Sequence, residues 1–137
     1  MPVDVELLET SFDLIAPRGQ ELVDRFYDRL FETAPGTRPL FETVDMDTQK
    51  SSLLAILITL RESLRDLSVI APDLEELGAR HVEYGARSEH YPVVGAVLLE
   101  TMAEMGGSAW TPEYTSAWAE AYNVVQDLML QGAGQQE

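Results

Sequence analysis

Two histidines, five tyrosines and no cysteine are the most telling side chains for chemistry in this 137-residue chain. His81 stands out among them. It lies in the run Leu-Gly-Ala-Arg-His-Val-Glu-Tyr-Gly (77–85), where Leu74, Leu77, His81 and Tyr84 share one face at helical spacing. A neutral imidazole on an apolar face can ligate iron through one nitrogen. The other nitrogen then needs an acceptor that fixes its tautomer and direction, and the carbonyl of Leu77, one turn earlier, is in reach. Spacing alone leaves a second reading open, that of a satisfied core histidine. His90 lies beyond Gly85 and beside Tyr91-Pro92. It belongs either to a loop near the same site or to a two-histidine metal site. The lack of cysteine excludes disulfides, thiolate catalysis and cysteine metal centres.

Helices must position these groups, because no segment alternates with period two. Asp4 is the expected cap of a first helix carrying Leu7, Leu8, Phe12 and Ile15, which Pro17 ends. A second, from about Arg18, presents Leu22, Val23, Phe26, Leu30 and Phe31 with Tyr27 beside them, until Ala-Pro-Gly (34–36) breaks it. Arg38 to Phe41 forms a turn or 3₁₀ piece. Asp45 to Thr48 opens a third helix, whose apolar stripe runs Leu53, Leu54, Ile56, Leu57, Leu60, Leu64, Leu67. Pro72 begins the helix of His81, with Asp73, Glu75 and Glu76 at its positive end and Gly85 as its stop. A fifth runs from about Tyr91 to Met105 and closes at Gly106-Gly107. Thr111 caps the last, Pro112 opens it, and Tyr114, Trp118, Tyr122, Val125 and Met129 line one side. Residues 131–137 read as a frayed tail. The expectation is one all-α domain over 1–137. Its uneven helices and the sharp corner after Pro35 favour an irregular fold around a pocket over a regular bundle.

The 137 residues suit one domain with one core, and 45% hydrophobic content suffices for it. A formal net charge of −15 repels phosphate backbones and anionic lipid. Nucleic-acid and membrane-surface roles are therefore not expected. The charge serves solubility, salt adaptation or attraction of a basic partner. The start, Met-Pro-Val-Asp, lacks a basic region followed by an apolar run. The longest uncharged run, Ser51 to Leu60, falls far short of the ~20 residues that cross a bilayer. A cytoplasmic location is expected.

Phe26-Tyr27 with Leu30-Phe31, Arg38-Pro39-Leu40-Phe41, Leu77 to Gly85, and His90 to Gly95 with Leu98-Leu99 resemble the bacterial single-domain haemoglobins and the globin domain of flavohaemoglobins. Ala117-Trp118 and Ala121-Tyr122 are similar to the last helix of that family. The resemblance runs from about Val5 to Met129. It implies a globin fold, with helices packed around a haem pocket, and haem b (iron protoporphyrin IX) as cofactor.

By that resemblance His81 is the proximal iron ligand, with Leu77, Tyr91 and Val94 also against the cofactor. Phe41 packs on the porphyrin face. Tyr27 is the distal tyrosine, donating to iron-bound dioxygen. Gln49 is the second donor, or Thr48 if the register of that helix differs by one. Leu53, a turn after Gln49, walls the iron. Lys50 and Arg80 are the nearest cations for the propionates, or else plain surface charge. Hydrogen bonds to charged ligand oxygen contribute roughly 1.5–3 kcal/mol each, so two donors predict tight oxygen binding and slow release, and a smaller gain for carbon monoxide.

Tyr91 resembles the tyrosine that joins the proximal histidine to a last-helix glutamate in flavohaemoglobins, a network that favours oxygen activation. Here that glutamate falls near Ala133, and Asp127 lies too early in the helix. The resemblance therefore implies reversible oxygen binding at pentacoordinate iron, for storage, delivery or scavenging. Two alternatives stand beside it. One is nitric-oxide dioxygenation fed by a separate reductase, since these residues hold no flavin or nicotinamide domain. The other is a haem-free globin-like domain for regulatory protein contacts.

Overall fold

The computed structural model describes residues 4–83 and 90–134. Six α-helices appear among them: α1 (Val5–Ile15), α2 (Gly19–Thr33), α3 (Met46–Glu62), α4 (Ala71–Glu83), α5 (His90–Gly106) and α6 (Pro112–Gly134). The described residues contain no strand. Capping follows local chemistry. The Asp4 carboxylate accepts from the Leu7 amide at 3.2 Å, and Asp45 accepts from the Asp47 amide at 3.2 Å. Pro17 sits in a 3₁₀ turn, Ala16–Arg18, between α1 and α2. A longer 3₁₀ piece, Pro35–Phe41, makes the corner before α3. Gly107, at φ +56°, turns the chain between α5 and α6.

The core is formed by Leu8, Phe12 and Ile15 of α1, Leu22, Phe26 and Leu30 of α2, Val97 and Met102 of α5, and Trp118 of α6, all essentially buried. The Trp118 indole packs on Phe12 and donates to Ser11 Oγ at 2.8 Å, joining the two ends of the chain. Basic side chains are spent on helix–helix pairs. Arg61 of α3 and Arg65 of the turn after it meet Glu9 and Asp13 of α1, and Arg25 and Arg29 of α2 meet Glu104 of α5. Among the described residues little unpaired positive charge is left with which to bind a polyanion. No helix among the described residues is long and apolar enough to cross a membrane.

Two expectations are corrected here. The apolar stripe of the third helix was expected to continue to Leu67, yet α3 ends at Glu62. The Ser63 amide is shared between the carbonyls of Thr59 (3.0 Å) and Leu60 (3.1 Å), a helix-end arrangement. Asp66 then accepts from the Ser68 amide at 3.2 Å, a local bond that competes with helix. Leu64 still reaches the core from the turn. The tail is the second correction: fraying was expected from residue 131, but α6 continues to Gly134.

The reason is tertiary. Gly132 is buried, and a Cβ there would overlap the backbone carbonyl of Glu75 on α4. A Cβ on Gly78 would likewise overlap the Met129 carbonyl of α6. Two glycines thus let the backbones of α4 and α6 touch, and this contact holds the last turns of α6 in helix. Gly85, the expected stop of α4, and Tyr84 lie outside the described residues, as do residues 135–137.

Candidate functional site

Helix α4 carries His81, and the crossing with α6 fixes where that helix lies. His81 Nδ1 is 2.7 Å from the Leu77 carbonyl oxygen. A carbonyl can only accept, so Nδ1 carries the proton and the lone pair of the neutral ring belongs to Nε2. Burial lowers the His81 pKa below its ordinary value, and the bond to Leu77 opposes this only in part. The ring is therefore held as neutral imidazole, the form that ligates metal.

Across from the ring stands Tyr91, in the first turn of α5, its ring centroid 6.4 Å from that of His81. Burial raises the Tyr91 phenol pKa. Tyr122 of α6 donates its hydroxyl to the Tyr91 carbonyl at 2.6 Å. Its ring occupies the space left by Gly95, where a Cβ would come within 2.5 Å of Tyr122 Cε2. Val94 is half-buried against the core beside this contact. His90 opens α5 and is half-buried. Among the described residues no group of three or more histidine or acidic side chains is placed to hold a metal ion.

The second cluster lies on α2 and α3. Tyr27 is buried, and its hydroxyl accepts from Gln49 Nε2 at 3.0 Å. Burial raises its pKa, with the Gln49 bond acting the other way, so the phenol keeps its proton. Thr48 is turned away: its hydroxyl donates to Asp45 at 2.9 Å, at the cap of α3. The Phe41 ring meets Tyr27 edge-on at 5.8 Å and Phe31 at 5.4 Å, and the Arg38 guanidinium lies 5.0 Å above Phe31. Gln49, Leu53 and Ile56 fall at i, i+4 and i+7, on one face of α3.

Gln49 meets α2 through Tyr27, and Ile56 looks toward α4. Between α3 and α4 lies a cleft of about 340 Å³, walled by Ile56 and Thr59 on one side and by Leu74, Leu77 and Arg80 on the other. Leu77 lines this cleft, while His81, one turn on, is not among its lining residues. The structure thus brings Tyr27, Gln49 and Phe41 together in one cluster, and Leu77, His81 and Tyr91 together in another. The expected propionate cations are engaged elsewhere. Lys50 Nζ is 3.1 Å from Asp24 of α2, and Arg80 is 2.7 Å from Glu76 one turn before it. Only Arg80 stands at the cleft.

Sequence reading gave Tyr122 and Phe31 only places on apolar helix faces and in the family resemblance, and it gave Gly78 no task. Gly78 did carry a signal, since an isolated glycine inside a helix usually has a packing reason. Phe31 follows Tyr27 by four residues and so shares its face.

A chemical fit to haem can be judged from these residues. They offer one neutral imidazole of fixed tautomer, aromatic and aliphatic side chains beside it, and a polar pair contributed by α2 and α3. This donor set suits a flat apolar macrocycle with a nitrogen-ligated metal. This donor set on an all-helical chain points to the class of helical haem proteins.

A globin family profile matches residues 24–129. The chain belongs to the globin family. It is 30% identical over 128 residues to a flavohemoprotein of Bacillus subtilis, with 92% of this chain and 32% of that protein aligned. It is 33% identical over 126 residues to a flavohemoprotein of Bordetella parapertussis, with 90% of this chain and 31% of that protein aligned. The chain thus spans about a third of the length of these relatives. Among solved structures it is similar to an engineered carbene transferase from Rhodothermus marinus, whose parent is described as a candidate nitric oxide dioxygenase. The TM-score is 0.86 at 25% identity, covering 96% of this chain and 91% of that one. A bacterial globin from Campylobacter jejuni shares the fold, with a TM-score of 0.83 at 20% identity over 96% of this chain and 94% of that one.

Proposed function

We propose that this globin binds haem b and takes up dioxygen reversibly, with His81 as the axial ligand and Tyr27 and Gln49 as the polar contacts to the gas. One observation carries the reading: the 2.7 Å bond from Nδ1 of the half-buried His81 to the Leu77 carbonyl, which fixes the neutral tautomer that ligates metal through Nε2. When bound, the haem supplies ferrous iron with a position for a diatomic gas. Haem b is the form the family resemblance implies, and the absence of cysteine rules out a thioether-linked haem.

Each remaining residue has a physical task. The Leu77 carbonyl orients the imidazole. Leu53, Ile56, Leu77 and Val94 exclude water. Phe41, held edge-on by Tyr27 and Phe31, offers an aromatic surface for the macrocycle. Tyr27 accepts from Gln49, so its own proton stays available to a polar ligand atom. Gln49 therefore acts through Tyr27 as well as by its second N–H. Arg80, at the cleft, is the candidate cation for a propionate.

The test is an absorption spectrum. Purified protein should be red, with an intense haem band that shifts when carbon monoxide is added to the reduced form. His81→Ala should lose the axial bond, and unchanged iron spectra in that variant would reject the ligand assignment. A colourless protein that refuses haemin would favour a haem-free interaction domain.

The similarity to flavohemoproteins favours one further reading, nitric-oxide dioxygenation with electrons from a separate reductase. Rapid oxygen-dependent loss of nitric oxide, sustained by an added reductase, would establish it.

A further inference from the structure

Lys50 is the only lysine of the chain, and it follows Gln49 directly on α3. Its ammonium lies 3.1 Å from Asp24 Oδ1 of α2, and its side chain is only 21% exposed. Gln20 Nε2, one turn earlier on α2, donates to the same Asp24 oxygen at 3.1 Å. Asp24 and Tyr27 are three residues apart and so share a face of α2. Two consecutive residues of α3 therefore grip one face of α2 by parallel bonds, Gln49 to Tyr27 inside and Lys50 to Asp24 outside. Both lie near the start of α3, where the Gln49 amide bonds to the carbonyl of the capping Asp45 at 3.0 Å and helix ends fray most easily.

We propose that the Lys50–Asp24 ion pair is a salt-sensitive latch that positions Gln49 against Tyr27 and so sets how long the ligand is held. The inference rests on reading Tyr27 and Gln49 as the ligand-side donors. The inner bond is neutral and partly buried, so ions in solution scarcely reach it. The outer pair meets solvent through Asp24, whose side chain is 46% exposed, and salt weakens such pairs. Loosening the outer pair frees the start of α3 and lets Gln49 leave the phenol. Lys50 is thus a positioning residue: it acts on the ligand through Gln49 and Tyr27, not by touching ligand or macrocycle.

The experiment compares the wild type with Lys50→Met, Asp24→Asn and Lys50→Arg in the full chain. Oxygen release is measured by stopped flow at low and at high sodium chloride. Exchange of the Gln49 side-chain amide protons is followed by NMR. Wild-type release should quicken roughly two- to fivefold with salt, the range that one exposed pair can supply. Lys50→Met and Asp24→Asn should release at the fast rate at either salt concentration and exchange the Gln49 amide faster. Lys50→Arg, which keeps the pair, should restore wild-type release and its salt dependence. Unchanged release and exchange in both neutral variants would overturn the latch. An effect of Lys50→Met that Asp24→Asn does not share would also overturn it, pointing to a propionate contact instead. If the protein takes up no haem, the functional reading fails, and amide exchange alone still decides whether the pair holds Gln49.

Discussion

The Nδ1 of His81 sits 2.7 Å from the carbonyl oxygen of Leu77, within the same helix and one turn away. The bond determines which ring nitrogen keeps a lone pair, and it does so with backbone, which no side-chain substitution at position 77 removes. The imidazole is therefore set in direction before any ligand arrives, at the cost of burying a titratable group. Burial lowers the His81 pKa from its ordinary 6.5.

That shift predicts a pH dependence. The fold favours neutral His81, while the unfolded chain takes up the proton below about 6.5. Stability from this group is complete above that pH and declines as pH falls toward the lower folded-state value. Asp13, Glu21 and Glu104 are also held below their ordinary values, chiefly by hydrogen bonds from Arg61, Arg18 and Arg29, but these carboxylates act only below 4.5. In urea unfolding of the haem-free protein, wild type should lose stability between pH 6.5 and 4.5, and His81→Leu should lose less over that interval. Equal losses in the two proteins would contradict the burial argument.

Tyr27 and Gln49 predict an ordered pair of effects. Tyr27→Phe removes a donor to polar bound oxygen, worth roughly 1.5–3 kcal/mol, so release should quicken about 10- to 100-fold. Gln49→Leu leaves the phenol in place and should quicken release less. Carbon monoxide release should change little in either variant. Stopped-flow dissociation measures all three, and a larger effect from Gln49 than from Tyr27 would reverse the assigned order.

The α4–α6 contact predicts a strong steric effect at a residue remote from chemistry. A Cβ at Gly78 meets the Met129 backbone carbonyl, which cannot rotate away as a side chain would. Gly78→Ala should destabilise by about 1–3 kcal/mol or more, despite alanine's better helix propensity. Gly132→Ala meets Glu75 in the same way and should behave alike. Gly36→Ala, at a position open to solvent, serves as the control. Denaturation midpoints decide it, and stable Gly78→Ala protein would mean that the helices separate cheaply.

Tyr122 links α6 to the first turn of α5 through the Tyr91 carbonyl. Tyr122→Phe keeps the ring and removes the donor; the Tyr91 carbonyl keeps its place in the helical ladder of α5, so the cost should be about 0.5–1.5 kcal/mol. Because Tyr91 faces His81, the haem-bound variant should also show a shifted iron–histidine stretching band by resonance Raman. Loss of stability without such a shift would make Tyr122 a packing residue only.

The helices were legible in the residues because their causes are local. Asp4 and Asp45 cap, Pro17 and Pro35 interrupt, Gly107 turns, and apolar side chains repeat at helical spacing. The His81–Leu77 bond was legible for the same reason, spanning a single turn. The end of α3 was not, because a leucine stripe carries no mark of where an Asx turn at Asp66 outcompetes the next helical bond. Nor was the order in residues 131–134. Gly132 looks like a breaker along the chain, and only the approach of the α4 backbone makes its missing side chain a reason to remain helical. The partner of Lys50 was also hidden. A lysine beside Gln49 can reach several carboxylates, and the packing of α2 against α3 selects Asp24. Spacing and residue type thus specify what each segment can become, whereas pairings between distant segments follow from how the helices cross, since that alone sets the distances between them.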